Sequence, residues 1–314
     1  MIARFLASLV IVWMVFAACE HNPAGIDAPG PLATITVLPN PDTLRVGTIR
    51  QFVAVGKDAR GNVVEVAPSW TVVAEGGTIA GGGLFTAGTV PGTYVGTVKA
   101  SVAGISGFAT VTVVPGPLST IEVTPDPADL VISAAQQFAA TGKDVFGNVV
   151  AITPTWSVAA GGGAIDAGSG LFTAGTVPGA YAETVVATSG AISGSATVNV
   201  TAGPLATITV SPNPATLGMG TNQLFTAVGT DAGGNVLAIT PTWSVEAGGG
   251  AINGSSGLFT AGTLPGTYAN TVKATSGDIS GFATVIVSGG ALATITVTPD
   301  PANLGIGATQ QFTA

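Results

Sequence analysis

Apolar and polar residues alternate along most of this chain. In Thr34-Ile35-Thr36-Val37, Ile35 and Val37 fall on one side and the threonines on the other. That is the period of a half-buried strand. Pro39-Asn40-Pro41 ends it, because proline has no amide to give a ladder. A second strand is predicted over 51–56. Phe52, Ala54 and Gly56 share one face of it, as Phe138, Ala140 and Gly142 do further along. Asp58-Ala59-Arg60-Gly61-Asn62 carries the residue types of a turn. Ser69-Trp70-Thr71-Val72 then aims Trp70 and Val72 inward. Tyr94, Val98 and Ala100 share a face of a later strand, and Ala109, Val111 and Val113 line the last. About seven short strands per unit follow, the count of a Greek-key sandwich. No helical period runs long enough to compete.

The pattern repeats. Pro31-Leu32-Ala33-Thr34-Ile35 returns as Pro117-Leu118-Ser119-Thr120-Ile121, Pro204-Leu205-Ala206-Thr207-Ile208 and Ala291-Leu292-Ala293-Thr294-Ile295, at spacings of 86 or 87 residues. The words from Gly83 to Gly92 recur at 170–179, and with one change at 257–266. Units of this length are domain-sized, so the sequence reads as an array of small domains rather than a solenoid. The expected divisions are 31–116, 117–203, 204–290 and a truncated start of a fourth domain at 291–314. Each complete unit is expected to centre on a tryptophan between two sheets: Trp70, Trp156 and Trp243. Tyr94, Tyr181 and Tyr268 are candidates for a tyrosine corner, the hydroxyl bonding back to nearby backbone.

These units resemble bacterial immunoglobulin-like domains of the group 2 type, found in invasin- and intimin-like surface proteins. The matching words are Ile35-Thr36-Val37 with Pro39, Val46-Gly47 before Gln51-Phe52, Gly61-Asn62-Val63, Ser69-Trp70-Thr71-Val72, Gly83-Leu84-Phe85-Thr86 and Ala109-Thr110-Val111-Thr112-Val113. The resemblance spans 31–314. It implies an all-β fold of tandem immunoglobulin-like Greek-key β-sandwiches and a place on the cell surface. Such modules serve as stalks, adhesins and accessory domains alike, so the fold leaves the task open.

The N-terminus supplies an address. Arg4 precedes an apolar run that ends in Phe16-Ala17-Ala18-Cys19, too short for a comfortable membrane span. The last four residues resemble the lipobox of bacterial lipoproteins, with Phe16 where leucine is usual. The resemblance implies a signal peptide over 1–18, cleavage before Cys19, lipidation of Cys19 and a tether over 19–30. Glu20 after Cys19 favours the outer membrane, with the remainder periplasmic or surface-exposed. The expected partners are the membrane, through the lipid, and a surface protein or glycan.

Composition removes alternatives. Only 8% of residues are charged, against about 25% in a typical soluble domain, so neither a coiled coil nor a charged helical bundle fits. The net charge is −8, and the eight Lys and Arg form no run; nucleic-acid binding, which needs a basic footprint, is not expected. The 46 glycines show no three-residue period, which excludes collagen. One cysteine precludes an internal disulfide, and the single histidine, His21, lies in the tether.

Candidate chemistry is thin. Asp58, Asp144 and Asp231 each precede Gly and Asn in a short turn. Their oxygens suit calcium in type but not in number, and a structural turn is the better reading. The triple-glycine stretches 81–83, 161–163 and 248–250 lack the Gly-Lys-Ser/Thr of a phosphate loop. Asp126 and Asp129 read as solvated. Asn253-Gly254-Ser255 matches a glycosylation sequon that a bacterial address makes uninformative. Phe108 and Phe282 fall on the outward side of the last strand, where unit two has Ser195; they mark a ligand surface or a domain junction. No cofactor and no catalytic residue is expected, and the chain reads as non-enzymatic. A distal domain beyond residue 314 is the remaining route to an activity.

Overall fold

The computed structural model describes residues 29–314. The expected signal peptide, Cys19, His21 and most of the expected tether lie outside the described residues. The described chain is all-β, and among the described residues no helix is long and apolar enough to cross a membrane.

The first repeat has ten strands: β1 (Leu32–Leu38), β2 (Asp42–Arg45), β3 (Ile49–Gln51), β4 (Val53–Asp58), β5 (Val63–Val64), β6 (Ser69–Val72), β7 (Gly77–Ile79), β8 (Leu84–Ala87), β9 (Gly92–Val102) and β10 (Ile105–Val114). They form three sheets, ordered β1-β4-β5, β2-β10-β9-β6 and β3-β8-β7. All pairings are antiparallel except β2 with β10, where Val111 faces Asp42. The same ten strands and three sheets recur from Thr120 to Thr201 and from Leu205 to Ser288.

The ten strands correct the seven expected. Two causes are visible. The predicted strand 51–56 is broken at Phe52, whose amide donates to Gly83 O. The chain there leaves one sheet for another, so β3 pairs with β8 and β4 pairs with β1. The short β2 finds its partner at the far end of the repeat, and no local pattern announces a parallel pairing of that kind.

Each repeat has its own hydrophobic core. At its centre is a pair of phenylalanines set edge to face. Phe52 and Phe85 have ring centroids 5.8 Å apart at 82°. Phe138–Phe172 and Phe225–Phe259 repeat this at 6.0 Å and 83°. All six are fully buried, and such T-shaped pairs add to the gain from area burial alone.

Trp156 and Trp243 belong to the cores of their repeats, and Trp70 packs against the core of the first. Trp156 and Trp243 are buried, but Trp70 is only half-buried. Each stands on the edge strand of the four-stranded sheet, beneath a turn glycine. A Cβ at Gly83 would lie 3.0 Å from the Trp70 ring, and Gly170 and Gly257 sit likewise over Trp156 and Trp243. The first repeat is one residue shorter in this turn. In the other two, the Trp156 and Trp243 amides donate to Ala167 O and Gly254 O, each at 3.0 Å. The shorter turn leaves Trp70 less covered.

The chain divides into two compact units at Gly116/Pro117, the second running to Ala314 and holding two of the three cores. Residues 291–314 form no strand. They carry one antiparallel bridge, Thr298 to Thr313, at the register that Leu38 and Val53 hold in the first repeat.

Candidate functional site

The turn after β4 is the most elaborate polar arrangement in the repeat. Asp58 Oδ1 accepts the amides of Arg60 and Asn62, both at 2.9 Å. Its Oδ2 accepts the Gly30 amide at 2.9 Å and Asn62 Nδ2 at 3.0 Å. The carboxylate is buried. The Gly30 amide, followed by the Asn62 side chain, holds its pKa down from 3.8 to about 2, against the opposing effect of burial. Asp231 is built alike, accepting from Gly203, Gly233 and Asn235. Burial there works to raise the pKa, and the hydrogen bonds outweigh it, so the net direction is down. Asp144 accepts the Phe146 and Asn148 amides in the same way.

These hydrogen bonds give each aspartate a structural part in its own turn. Calcium needs six to eight oxygens with free lone pairs. Here N–H donors occupy lone pairs of each carboxylate. Among the described residues, no cluster of three or more His, Cys, Asp or Glu could hold a metal.

The tyrosine hydroxyls bond back to backbone. Tyr94, Tyr181 and Tyr268 donate to Val90 O, Val177 O and Leu264 O, each at 3.0 Å. Their rings press on Gly76, Gly162 and Gly249. At Gly76, φ is +84° and a Cβ would lie 2.5 Å from Tyr94 Cγ, so only glycine fits on both counts. The stretches 161–163 and 248–250 thus serve as conformational and steric gaps, whereas Gly81 and Gly82 stand in open space. Nearby, the buried Thr97 donates to Glu75 O; Thr184 and Thr271 donate to Gly161 O and Gly248 O at 2.6 Å. Sequence reasoning passed over these threonines, because a threonine on a strand reads as outward by default.

Asp126 and Asp129 are not merely solvated. Asp126 accepts the Thr197 amide at 2.9 Å, and Asp129 accepts from Asn199 Nδ2 at 2.8 Å. Asn40 occupies the position of Asp126 in the first repeat. It accepts the Thr110 amide at 2.9 Å and donates to Phe108 O at 3.1 Å. Asn213 does the same with Thr284 and Phe282. Thr110 sits where the β9–β10 register shifts, so its amide needs a partner outside the ladder. The recurring Pro-Asn/Asp-Pro word was the available signal, and the prolines drew the reading instead. Asn253 is likewise engaged: its Oδ1 accepts the Ser255 and Ser256 amides. Asp166 does this in the second repeat, where the Ser169 amide above all lowers its pKa.

Phe108 and Phe282 are the aromatic rings that stand out on β10 and its counterpart. They are 48% and 41% exposed, which shows that neither is packed away. Each has a lysine across the strand pair, Lys99 Nζ 5.9 Å and Lys273 Nζ 5.8 Å from the ring centroid. At an exposed site such a cation–π contact contributes about 0.5–1 kcal/mol.

No family model matches the chain. Ice-binding protein 1 of Shewanella frigidimarina is 31% identical over 223 residues, covering 68% of this chain and 24% of that protein. The chain thus matches about a quarter of its curated relative's length. Among solved structures, the Escherichia coli adhesin FdeC aligns with 83% of this chain and all of its own at 22% identity and a TM-score of 0.42. Drosophila N-cadherin EC1-4 aligns with 82% of this chain and 75% of its own at 15% identity and a TM-score of 0.40. The S-layer protein SbsC(31-844) aligns with 86% of this chain and 42% of its own at 19% identity and a TM-score of 0.28.

Proposed function

We propose that this chain is a non-enzymatic, lipid-anchored cell-envelope protein whose tandem immunoglobulin-like domains, divided at 116/117, 203/204 and 290/291, act as a spacer or adhesive stalk. One observation carries the reading. The aspartate of each repeat holds the turn after it by the same bond from the asparagine amide four residues on, and this solution is used three times. That is the economy of a modular scaffold rather than of a site built once for chemistry. The match to part of an ice-binding protein supports modules that accompany other functions in longer proteins outside the cell. A domain past residue 314 would be such a function.

The anchor is tested by labelling cells with radioactive palmitate. Incorporation is expected in the parent chain and absent in Cys19→Ser. Label that survives the substitution refutes the anchor.

A second reading rests on the exposed Phe108 and Phe282 rings, since a flat apolar face stacks on sugars. On that reading the repeats are accessory carbohydrate- or peptidoglycan-binding modules. Glycan-array binding that is lost in Phe108→Ala and Phe282→Ala favours it over the spacer; an array without signal removes it.

A further inference from the structure

The turn at 231–235 faces two ways. Within its own repeat, Asp231 holds the turn as Asp58 does. Outward, Asn235 Nδ2 donates to Thr176 O of the preceding repeat at 2.8 Å. Asp231 Oδ2 accepts the amide of Gly203, in the linker between the two repeats, at 2.9 Å. One Asp–Asn pair therefore grips the linker and the neighbouring repeat together.

An apolar contact completes the joint. Ile132 belongs to the core of the second repeat. Its side chain reaches to 3.2 Å from where a Gly203 Cβ would stand, and to 3.1 Å from a Cβ at Gly233. A Cβ at Gly233 would also lie 2.9 Å from Thr176 O. The space at Gly233 is thus closed to any side chain. Its φ is not in the left-handed region, so room rather than conformation demands glycine here. The other two repeats carry Arg60 and Phe146 at this position. The next linker repeats the apolar half of the contact: a Cβ at Gly290 would be 3.1 Å from Met219 Cε, and Met219 is the counterpart of Ile132.

We propose that the 231–235 turn is an interdomain latch: Asp231 and Asn235 lock the third repeat onto the Thr176 edge of the second, and Gly233 is the residue that permits the closure. The latch fixes the orientation of the two repeats, whereas a linker alone, Thr201-Ala202-Gly203-Pro204, would restrict bending only in part. This inference concerns the joint and is independent of the lipid anchor.

The test is a spin-label distance measurement on the full chain carrying Cys19→Ser, with labels at Leu171→Cys and Leu258→Cys, equivalent exposed positions in the two repeats. A narrow distance distribution is expected. Gly233→Phe, which wedges the joint with the residue found naturally at 146, is expected to shift and broaden it, as is Asn235→Ala. Asn62→Ala, which harms the same turn in the first repeat, is expected to leave it unchanged. Should Asn235→Ala unfold the third repeat, Gly233→Phe decides alone, with near-ultraviolet circular dichroism of the tryptophans reporting that the fold is kept. A broad distribution in the parent, or one that neither Gly233→Phe nor Asn235→Ala alters, overturns the latch.

Discussion

The Asp58 carboxylate accepts the amide of Gly30, 28 residues earlier in the chain, at 2.9 Å. The bond ties the entry of the first repeat to the turn that closes its β4–β5 hairpin. It also makes the fold sensitive to acid.

Asp58 titrates at about 2 in the folded chain, below its ordinary 3.8. In that interval the unfolded chain binds more protons than the folded one, so stability rises with pH. The contribution is fully present above 3.8 and is lost as pH falls through about 2. Asp231 and Asp166 are lowered in the same direction and add to the trend. Urea midpoints measured from about pH 5 downward are expected to fall, and Asp58→Asn is expected to flatten the slope for the first repeat. A flat profile in the parent contradicts the prediction.

Truncating the edge-to-face pair is expected to be severe. Phe85 is fully buried against Phe52, and Phe85→Ala is expected to cost about 3–5 kcal/mol in chemical denaturation. Trp70→Ala is expected to cost less than Trp156→Ala, because Trp70 is the less buried of the two. Equal costs would contradict the order of burial.

Two glycines at positive φ separate steric from conformational demand. Gly61 has φ +90° and open space around its Cβ position; Gly76 has φ +84° and the Tyr94 ring 2.5 Å away. Gly61→Ala is expected to cost about 1 kcal/mol, and Gly76→Ala clearly more. The comparison is read from thermal unfolding of the two variants, and a larger loss in Gly61→Ala would refute it.

Asn40 bridges to Phe108 O and the Thr110 amide. Asn40→Ala is expected to cost about 1–2 kcal/mol and to speed hydrogen exchange at Thr110 selectively. Asn40→Asp, the residue of the second repeat, keeps the acceptor and is expected to protect Thr110. Unchanged exchange at Thr110 in Asn40→Ala would show that the amide is satisfied elsewhere.

Much of this architecture was legible because its causes are local. The period of two in Ile35-Thr36-Val37 and Ala109-Thr110-Val111 marked strands and their buried faces, and the burial of Ile35, Val37, Ala109 and Val111 follows it. The turn at Asp58–Asn62 was legible from residue chemistry. The repeat was legible from the chain compared with itself. Asn40 was not, because its partners lie about seventy residues away and either Asn or Asp serves. The lower burial of Trp70 was not legible, because it follows from a turn one residue shorter than in the other two repeats.

The sequence by itself determined an all-β repeat, its inward faces and its turns, since alternation and turn residues act over a few positions. Only the tertiary structure decided which strands pair at long range, which aromatic rings meet, and that Asn235 spends its side chain on Thr176 of another repeat. The reason is physical. Hydrogen bonds and ring contacts between distant segments depend on positions in space that no short window of residues encodes.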